Sequence, residues 1–152
     1  MHVRLMTEHD ITQVVDMVYD VVAQAAYTYG TSSLSPTAMS SAMFRSITTP
    51  EHMPTFIHEM PDGRLSGMLF GVVDDTMFTG ERWFYERVFY IRPEYRTYAR
   101  ARAYIATAIE WCRENDVVLV EMGNGVTLDS RLDKLYGRMG FRKVNTLHAK
   151  RI

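Results

Sequence analysis

Apolar positions recur along the chain with two different periods, and each change of period marks the start of a new predicted element. Runs that alternate apolar with polar residues, or that are almost wholly apolar, predict β-strands, whereas apolar residues spaced three and four apart predict helices. The runs with strand character cover residues 2–6, 55–60, 64–74, 83–91, 117–122 and 141–152. Four stretches have helical spacing and begin near Ile11, Pro36, Ala101 and Leu128.

Residues with special backbone preferences support these boundaries. Thr7 and Asp10 form a capping-box signature before the first helix, and Pro36 suits the first turn of the second helix. The sequence PDG at 61–63 predicts a hairpin turn, because proline fixes φ and glycine accepts positive φ. Gly140 stands where a C-terminal helix cap belongs.

The resulting order is β-α-α-β-β-β-α-β-α-β, which predicts a mixed sheet flanked by helices, within the α/β (α+β) class. The stretch VVLVEM at 117–122 is nearly all apolar and predicts an interior strand that is covered on both faces. With 152 residues, the chain is expected to form a single domain, 1–152, with a core of its own.

Composition narrows the class of protein. Apolar residues make up 47% and charged residues 23% of the chain, as in ordinary globular proteins, and a net charge of −1 favours no polyelectrolyte partner. The single cysteine, Cys112, excludes an internal disulfide, and the first residues lack the apolar run of a secretion signal. The expected location is therefore cytoplasmic. No apolar run approaches the ~20 residues that cross a bilayer, so no membrane association is expected.

The segment EYRTYARAR at 94–102 lies between a predicted strand and a predicted helix, at the kind of turn where phosphates often bind. The first N–H groups of a helix have no partner inside it and carry the positive end of its dipole, so a phosphate placed there satisfies them. Such turns usually contain glycine, whereas this segment contains none.

Three motifs, in this order, resemble the Gcn5-related N-acetyltransferase family. VFYIRPEYR at 88–96 is similar to the family's fourth strand and the approach to its cofactor loop. Arg96-x-x-Ala99-x-Ala101 is similar to the family pattern Gln/Arg-x-x-Gly-x-Gly/Ala. LYGRMGF at 135–141 is similar to the family's tyrosine followed by a Gly-Phe pair. The motifs span most of the C-terminal half, while the N-terminal half agrees only in the order of its elements.

The resemblance implies a mostly antiparallel, twisted sheet of about six strands flanked by four helices, and acetyl transfer from acetyl-CoA to an amine. Backbone groups of the fourth strand would align the acetyl group and the pantetheine arm, and the loop would hold the pyrophosphate. The implied strand positions are Phe89, Tyr90 and Ile91. The implied loop positions are Arg96, Thr97, Tyr98, Ala99, Arg100, Ala101 and Arg102.

Ala99 departs from the family pattern, since it stands where the family has its firmest glycine. If Ala99 had to adopt a left-handed conformation, the cost would be ~1–2 kcal/mol, which corresponds to cofactor binding weakened about five- to thirtyfold. Arg96, Arg100 and Arg102 are the expected compensation, because guanidinium groups bind phosphate through charge-assisted hydrogen bonds. The alternative is that these arginines only solvate the start of a helix.

Acetyl transfer requires a deprotonated amine, so a general base is expected. The resemblance offers Glu121 and Glu86, of which only one need act, and each could instead be an ordinary surface carboxylate. Tyr136 matches the family's general acid for the departing thiolate, against the alternative of a core tyrosine. A metal site is not expected, because four of the five histidines show no metal-ligand spacing with each other or with Cys112; these four are His9, His52, His58 and His148.

Other functions stay open at this point. An inactive binding or regulatory module of the same fold is the first rival, because of Ala99. A single-stranded nucleic-acid binder is the second, because arginines and aromatic residues interleave at 82–102, although the neutral net charge disfavours nucleic acid. The resemblance implies a small-molecule or peptide amine as the acceptor, and carboxylates at Asp74, Asp75 and Glu81 favour a cationic one. A wall formed by Tyr27, Tyr29, Met39 and Met43 could shape its pocket, and a homodimer is left open.

Overall fold

A computed structural model describes residues 1–24, 35–123 and 130–144. Within these ranges there are five strands and four α-helices, and short 3-10 turns precede the first and third helices. The strands are β1 Val3–Leu5, β2 Thr55–Glu59, β3 Leu65–Asp75, β4 Arg82–Ile91 and β5 Val117–Glu121. The α-helices are α1 Ile11–Gln24, α2 Pro36–Thr48, α3 Tyr98–Glu114 and α4 Ser130–Arg138.

The strands form one sheet in the order β1-β2-β3-β4-β5. The first three pairings are antiparallel, and β4 pairs with β5 in parallel. The predicted mixed, mostly antiparallel sheet is thus confirmed, with five strands against about six. The predicted sixth strand begins in residues 141–144, which have no strand structure, and the remainder of it lies outside the described residues.

The prediction that β5 is an interior strand covered on both faces is wrong for the described part of the chain. There, β5 pairs with β4 alone and forms an edge of the sheet. Val118 is 65% exposed and Leu119 is 39% exposed. An apolar run shows that a strand is hydrophobic, but the number of its neighbours depends on chain segments that the run does not contain.

Two apolar clusters cover the two faces of the sheet. One lies between the sheet and α3, is extended by Leu135 and Tyr136 of α4, and includes the fully buried Phe84 and Tyr104. The other lies between the sheet and the helices α1 and α2, and includes the fully buried Val14. Cys112 is buried in the first cluster, and burial raises the pKa of its thiol to about 12.

Local backbone signals were largely predictive. The amide of Thr7 donates to the Asp10 carboxylate at 2.7 Å, and Arg4 holds the same carboxylate at 2.7 Å. Gly63 and Gly140 adopt φ values of +80° and +88°, as the turn and the cap require. The loop residues Tyr27 and Tyr29, and the start of the last helix at Leu128, lie outside the described residues.

The feature that positions the site is a change in the pairing of β4. Phe70 pairs with Val88, and the next residue, Gly71, pairs with Glu86, so Arg87 is the extra residue of a β-bulge. On the other side, the parallel pairing of β4 with β5 ends at Tyr85 and Glu121. Within the described residues, the second half of β4 therefore has a strand neighbour on one side only.

Candidate active site

A cleft of about 320 Å³ opens between the second half of β4, the start of α3 and one face of α4. Its walls combine apolar and aromatic side chains with four cationic ones. The lining residues are Phe89, Tyr90, Ile91, Arg96, Thr97, Tyr98, Ala101, Arg131, Leu132, Lys134, Leu135 and Arg138. Seven of the ten cofactor positions implied by the resemblance are in this set, whereas Ala99, Arg100 and Arg102 are not.

Arg100 is held away from the cleft by its own contacts. Its guanidinium donates to the Tyr95 carbonyl at 2.6 Å and to the Met60 sulfur at 3.6 Å, and it lies over the Tyr95 ring at 5.4 Å. Arg102 is exposed on α3. The structure therefore gives Arg100 a packing role and offers no support for Arg102 as a phosphate ligand.

Arg96 does line the cleft, and its guanidinium is fixed by three contacts. Nε donates to the Ile91 carbonyl at 2.8 Å, one terminal nitrogen donates to the Gln24 side chain at 3.3 Å, and the group lies 5.8 Å from the centre of the Tyr90 ring. The Gln24 amide in turn donates to the Tyr90 hydroxyl at 3.3 Å. The end of α1 is thereby connected to the cleft.

Helix α3 begins at Tyr98, three residues before the predicted start, and this changes the meaning of Ala99. Thr97 is the N-cap, and its hydroxyl accepts a hydrogen bond from the Arg100 amide at 3.1 Å. Among the described residues other than glycine, only Asp116 has a positive φ. Ala99 is therefore an ordinary helical residue, and the energetic cost of a left-handed conformation at this position does not arise.

The cations that the sequence interpretation missed are on α4. Arg131, Lys134 and Arg138 are exposed and line the cleft from one face of that helix. The Arg138 guanidinium lies 5.6 Å from the centre of the Tyr98 ring, so it bridges the two helices that form the walls. Their spacing of three and four residues was a readable signal, because it places all three on one helical face.

Glu86 lies at the point where β4 loses its second neighbour. Its carboxylate accepts a hydrogen bond from the Gly123 amide at 2.9 Å, just after the end of β5. Burial raises the pKa of this carboxyl to about 7, and the amide contacts and Arg87 lower it by less. Glu86 is therefore a carboxyl group that exchanges its proton near neutral pH.

Tyr136 is joined to the same short segment. Its hydroxyl donates to the Gly123 carbonyl at 2.9 Å, and its ring packs 5.6 Å from that of Phe141. Burial, together with the charges of Glu86 and Asp133, raises the pKa of the phenol well above its usual range. The backbone of Gly123 thus binds both predicted catalytic side chains, and the phenol keeps its proton at working pH.

Glu121, the other predicted base, is half-buried at the end of β5 and is paired with Tyr85. Residues that pair directly across two strands project on the same face of the sheet. Glu121 therefore shares a face with Tyr85, whereas Glu86, the next residue of β4, lies on the opposite face. The structure does not bring the two carboxylates together.

The interleaved arginines at 82–102 do not form a continuous row. Arg82 donates to the carbonyls of Asn115 and Glu51, at 2.6 and 2.7 Å, and Arg92 pairs with Asp20 at 3.5 Å. Phe89 and Tyr90 are buried. In the described ranges, no group of His, Cys, Asp and Glu side chains is arranged to hold a metal ion, and no helix is long and apolar enough to cross a membrane.

Comparisons with known proteins agree with this arrangement. A sequence model described as the acetyltransferase (GNAT) family matches residues 19–141. A search of curated protein sequences found no significant match. Among solved structures, an acetyltransferase from Trypanosoma brucei is similar with 16% identity and a TM-score of 0.72, and the alignment covers 99% of both chains.

Two further solved structures have the same fold. AAC(6')-Iy, in complex with the bisubstrate analogue CoA-S-monomethyl-acetylneamine, has 14% identity and a TM-score of 0.74 over 99% of this chain and 97% of its own. An integron cassette protein from the mobile metagenome of Cole Harbour salt marsh has 18% identity and a TM-score of 0.73 over 99% and 89%. At these identities the likeness concerns the fold.

Proposed function

The chain belongs to the GNAT acetyltransferase family, and on that premise we propose that it transfers an acetyl group from acetyl-CoA to a primary amine by direct attack in a ternary complex. The observation that carries the proposal is the cleft itself. Its lining combines the second half of β4, a helix N-terminus and four cationic side chains. Glu86 and Tyr136 are not lining residues, but both bind the backbone of Gly123, just after β5, and Leu135, the neighbour of Tyr136, lines the cleft.

The lining residues fit the chemistry of acetyl-CoA. The start of α3 and the side chains of Arg96, Lys134 and Arg138 suit a polyphosphate. The second half of β4 suits an arm with amide groups, since within the described residues it pairs with β3 alone. Phe89, Tyr90 and Ile91 stay the proposed alignment residues, and the cations of α4 replace Arg100 and Arg102 in the proposal.

Glu86 is the proposed general base and Tyr136 the proposed general acid. When bound, acetyl-CoA supplies a thioester whose carbonyl carbon the amine attacks, so that a C–N bond forms and the C–S bond breaks. Glu86, with a pKa of about 7, is suited to accept the proton that the amine loses. Tyr136 retains its proton at neutral pH and can donate it to the departing thiolate. Return of a proton to Tyr136 completes the cycle.

The domain extent, cellular location and acceptor class proposed for this activity are those predicted from the sequence. Residues 1–152 would act as one acetyltransferase domain in the cytoplasm, on a small-molecule or peptide amine. The analogue bound to AAC(6')-Iy is CoA-S-monomethyl-acetylneamine, which joins CoA to an acetylated amine, and this supports an amine acceptor for this chain as well.

The proposal is tested by measuring binding and turnover separately. Acetyl-CoA at 100 times its Kd should stabilise the protein by ~2.7 kcal/mol in thermal unfolding, and thiol release should depend on an added amine. Absence of stabilisation at millimolar acetyl-CoA would overturn the proposal. Stabilisation without thiol release over a panel of amines would instead indicate the inactive binding module.

A further inference from the structure

The face of the sheet opposite α3 and α4 carries two aromatic residues that the proposed reaction does not use. Phe84 belongs to the cluster beneath α3, so its neighbours in β4, Trp83 and Tyr85, project on the other face. Their ring centres are 6.2 Å apart, with planes tilted by 41°. Both residues are half-buried, and neither belongs to an apolar cluster in the described part of the chain.

Strand pairing surrounds these rings with carboxylates. Trp83 pairs with Asp74 of β3, and Tyr85 pairs with Glu121 of β5, so both acids project on the aromatic face. Glu81 also contacts this face, since its carboxylate accepts a hydrogen bond from the Trp83 ring nitrogen at 3.4 Å. Two ring faces with three nearby carboxylates form a surface that attracts cations.

The structure already places one cation on this surface. The Arg87 guanidinium, from the bulge in β4, lies 5.8 Å from the centre of the Tyr85 ring. Arg87 is exposed. This internal contact shows that a positive group can lie over the Tyr85 ring.

We propose that Trp83 and Tyr85, with Asp74 and Glu121, form the acceptor platform, and that the acceptor is a small amine with at least two amino groups. The inference rests on the proposed acetyl transfer. Tyr85 directly precedes Glu86, at the point where the pairing of β4 with β5 ends. One ammonium group is held over the rings between the carboxylates, and a second amino group of the same molecule extends past Tyr85 to the point where the pairing of β4 with β5 ends. There it delivers its proton to Glu86, which lies on the opposite face of the sheet.

The test compares spermidine with butylamine, which has a single amino group. Titration calorimetry without cofactor measures spermidine binding, and thiol release measures KM for both amines. Trp83→Leu and Asp74→Asn should each raise the Kd and the KM for spermidine by about two- to tenfold, and the double variant should raise them further. The KM for butylamine should change little. Phe44→Leu is the matched control, because Phe44 is 66% exposed on α2.

Trp83→Leu and Asp74→Asn alter side chains outside the apolar clusters, so both variants should unfold at the same temperature as the wild type. Thermal unfolding checks this. Equal KM values for spermidine and butylamine, or Trp83→Leu and Asp74→Asn variants that bind spermidine like the wild type, would overturn the inference. The two proposals fail independently. Spermidine binding without stabilisation by acetyl-CoA rejects the acetyltransferase function, whereas acetylation of butylamine without preference for spermidine rejects the platform.

Discussion

Glu86 shows how one residue obtains its chemistry from its position in the sheet. A glutamate on a regular, solvated strand would titrate near its ordinary pKa, whereas burial raises the pKa of Glu86 to about 7. The folded state therefore binds the Glu86 proton more tightly than the unfolded chain does. Its contribution to stability is complete below the ordinary glutamate pKa and is lost as pH rises through 7.

Glu86→Gln is expected to separate stability from activity. Above pH 8 the variant should be more stable than the wild type by up to ~3 kcal/mol, because the neutral amide avoids the cost of burying a charge. Near pH 4 the two proteins should unfold alike. The variant's kcat/KM should fall by ~10²–10⁴-fold, and the wild-type rise in rate near pH 7 should disappear.

Glu121→Gln is the control for the pH dependence alone, since Glu121 lies on the other face of the sheet; as a member of the proposed acceptor platform, it should affect the KM for spermidine. Its pH–rate profile should keep the rise near pH 7. If Glu121→Gln removes that rise while Glu86→Gln retains it, the base is Glu121 and the assignment of Glu86 is wrong.

At the residue scale, the sequence identified candidates but not their contacts. Glu86 and Tyr136 were both named from the family resemblance, but their connection through Gly123 was not, because a backbone contact leaves no side-chain pattern to read. Arg100 was a candidate phosphate ligand, and in the structure its guanidinium packs against Tyr95 and Met60. Met60 is 40 residues away in sequence, so the residues near Arg100 do not predict this contact.

At the scale of the element, the start of α3 differs from the prediction. The predicted turn at 94–102 treated Tyr98, Ala99 and Arg100 as loop, and in the structure all three belong to the first turn of the helix. Thr97 is a good N-cap residue, and that signal predicts the observed boundary better than the apolar period does. Periodicity needs several turns to become visible, so it locates helix ends poorly.

Ala99→Gly tests whether the missing glycine affects the cofactor. Because Ala99 already has a helical backbone, glycine relieves no strain, so the Kd for CoA should change by less than about twofold. Stability should fall by up to ~1 kcal/mol, since glycine is a weaker helix former. Calorimetric titration with CoA and denaturant unfolding measure the two effects. If Ala99→Gly binds CoA about five- to thirtyfold more tightly than the wild type, Ala99 is strained in the complex and the missing glycine does weaken binding.

At the scale of the whole molecule, charge is distributed unevenly. The net charge of −1 concealed a cleft with four cationic lining residues. Net charge is a sum over the whole chain, so it does not show whether a particular surface region is positive or negative. The order of elements and the mixed sheet were predictable, because apolar periods report local structure. The position of β5 at the sheet edge within the described residues depends instead on which distant segments pack beside it.

The combined variant Lys134→Gln and Arg138→Gln should weaken CoA binding by about twofold to thirtyfold and reduce its dependence on salt, because exposed charges contribute modestly and are screened. Titrations over a series of salt concentrations measure both effects. Arg113→Gln is the control, since Arg113 is exposed near the far end of α3 and pairs with Glu110. An Arg113→Gln effect as large as that of the double variant would show that only the overall charge matters.

The half-free strand β4 has one further consequence, for solubility. An unpaired strand edge is a template on which other chains can add, and proteins commonly protect such edges from aggregation. Beyond Tyr85, the edge of β4 that β5 leaves unpaired lies in a cleft walled by α3 and α4. A slender ligand arm can enter there, whereas a strand from another molecule would have to displace a helix. The same two walls that form the binding cleft therefore also keep a second strand off this edge of β4.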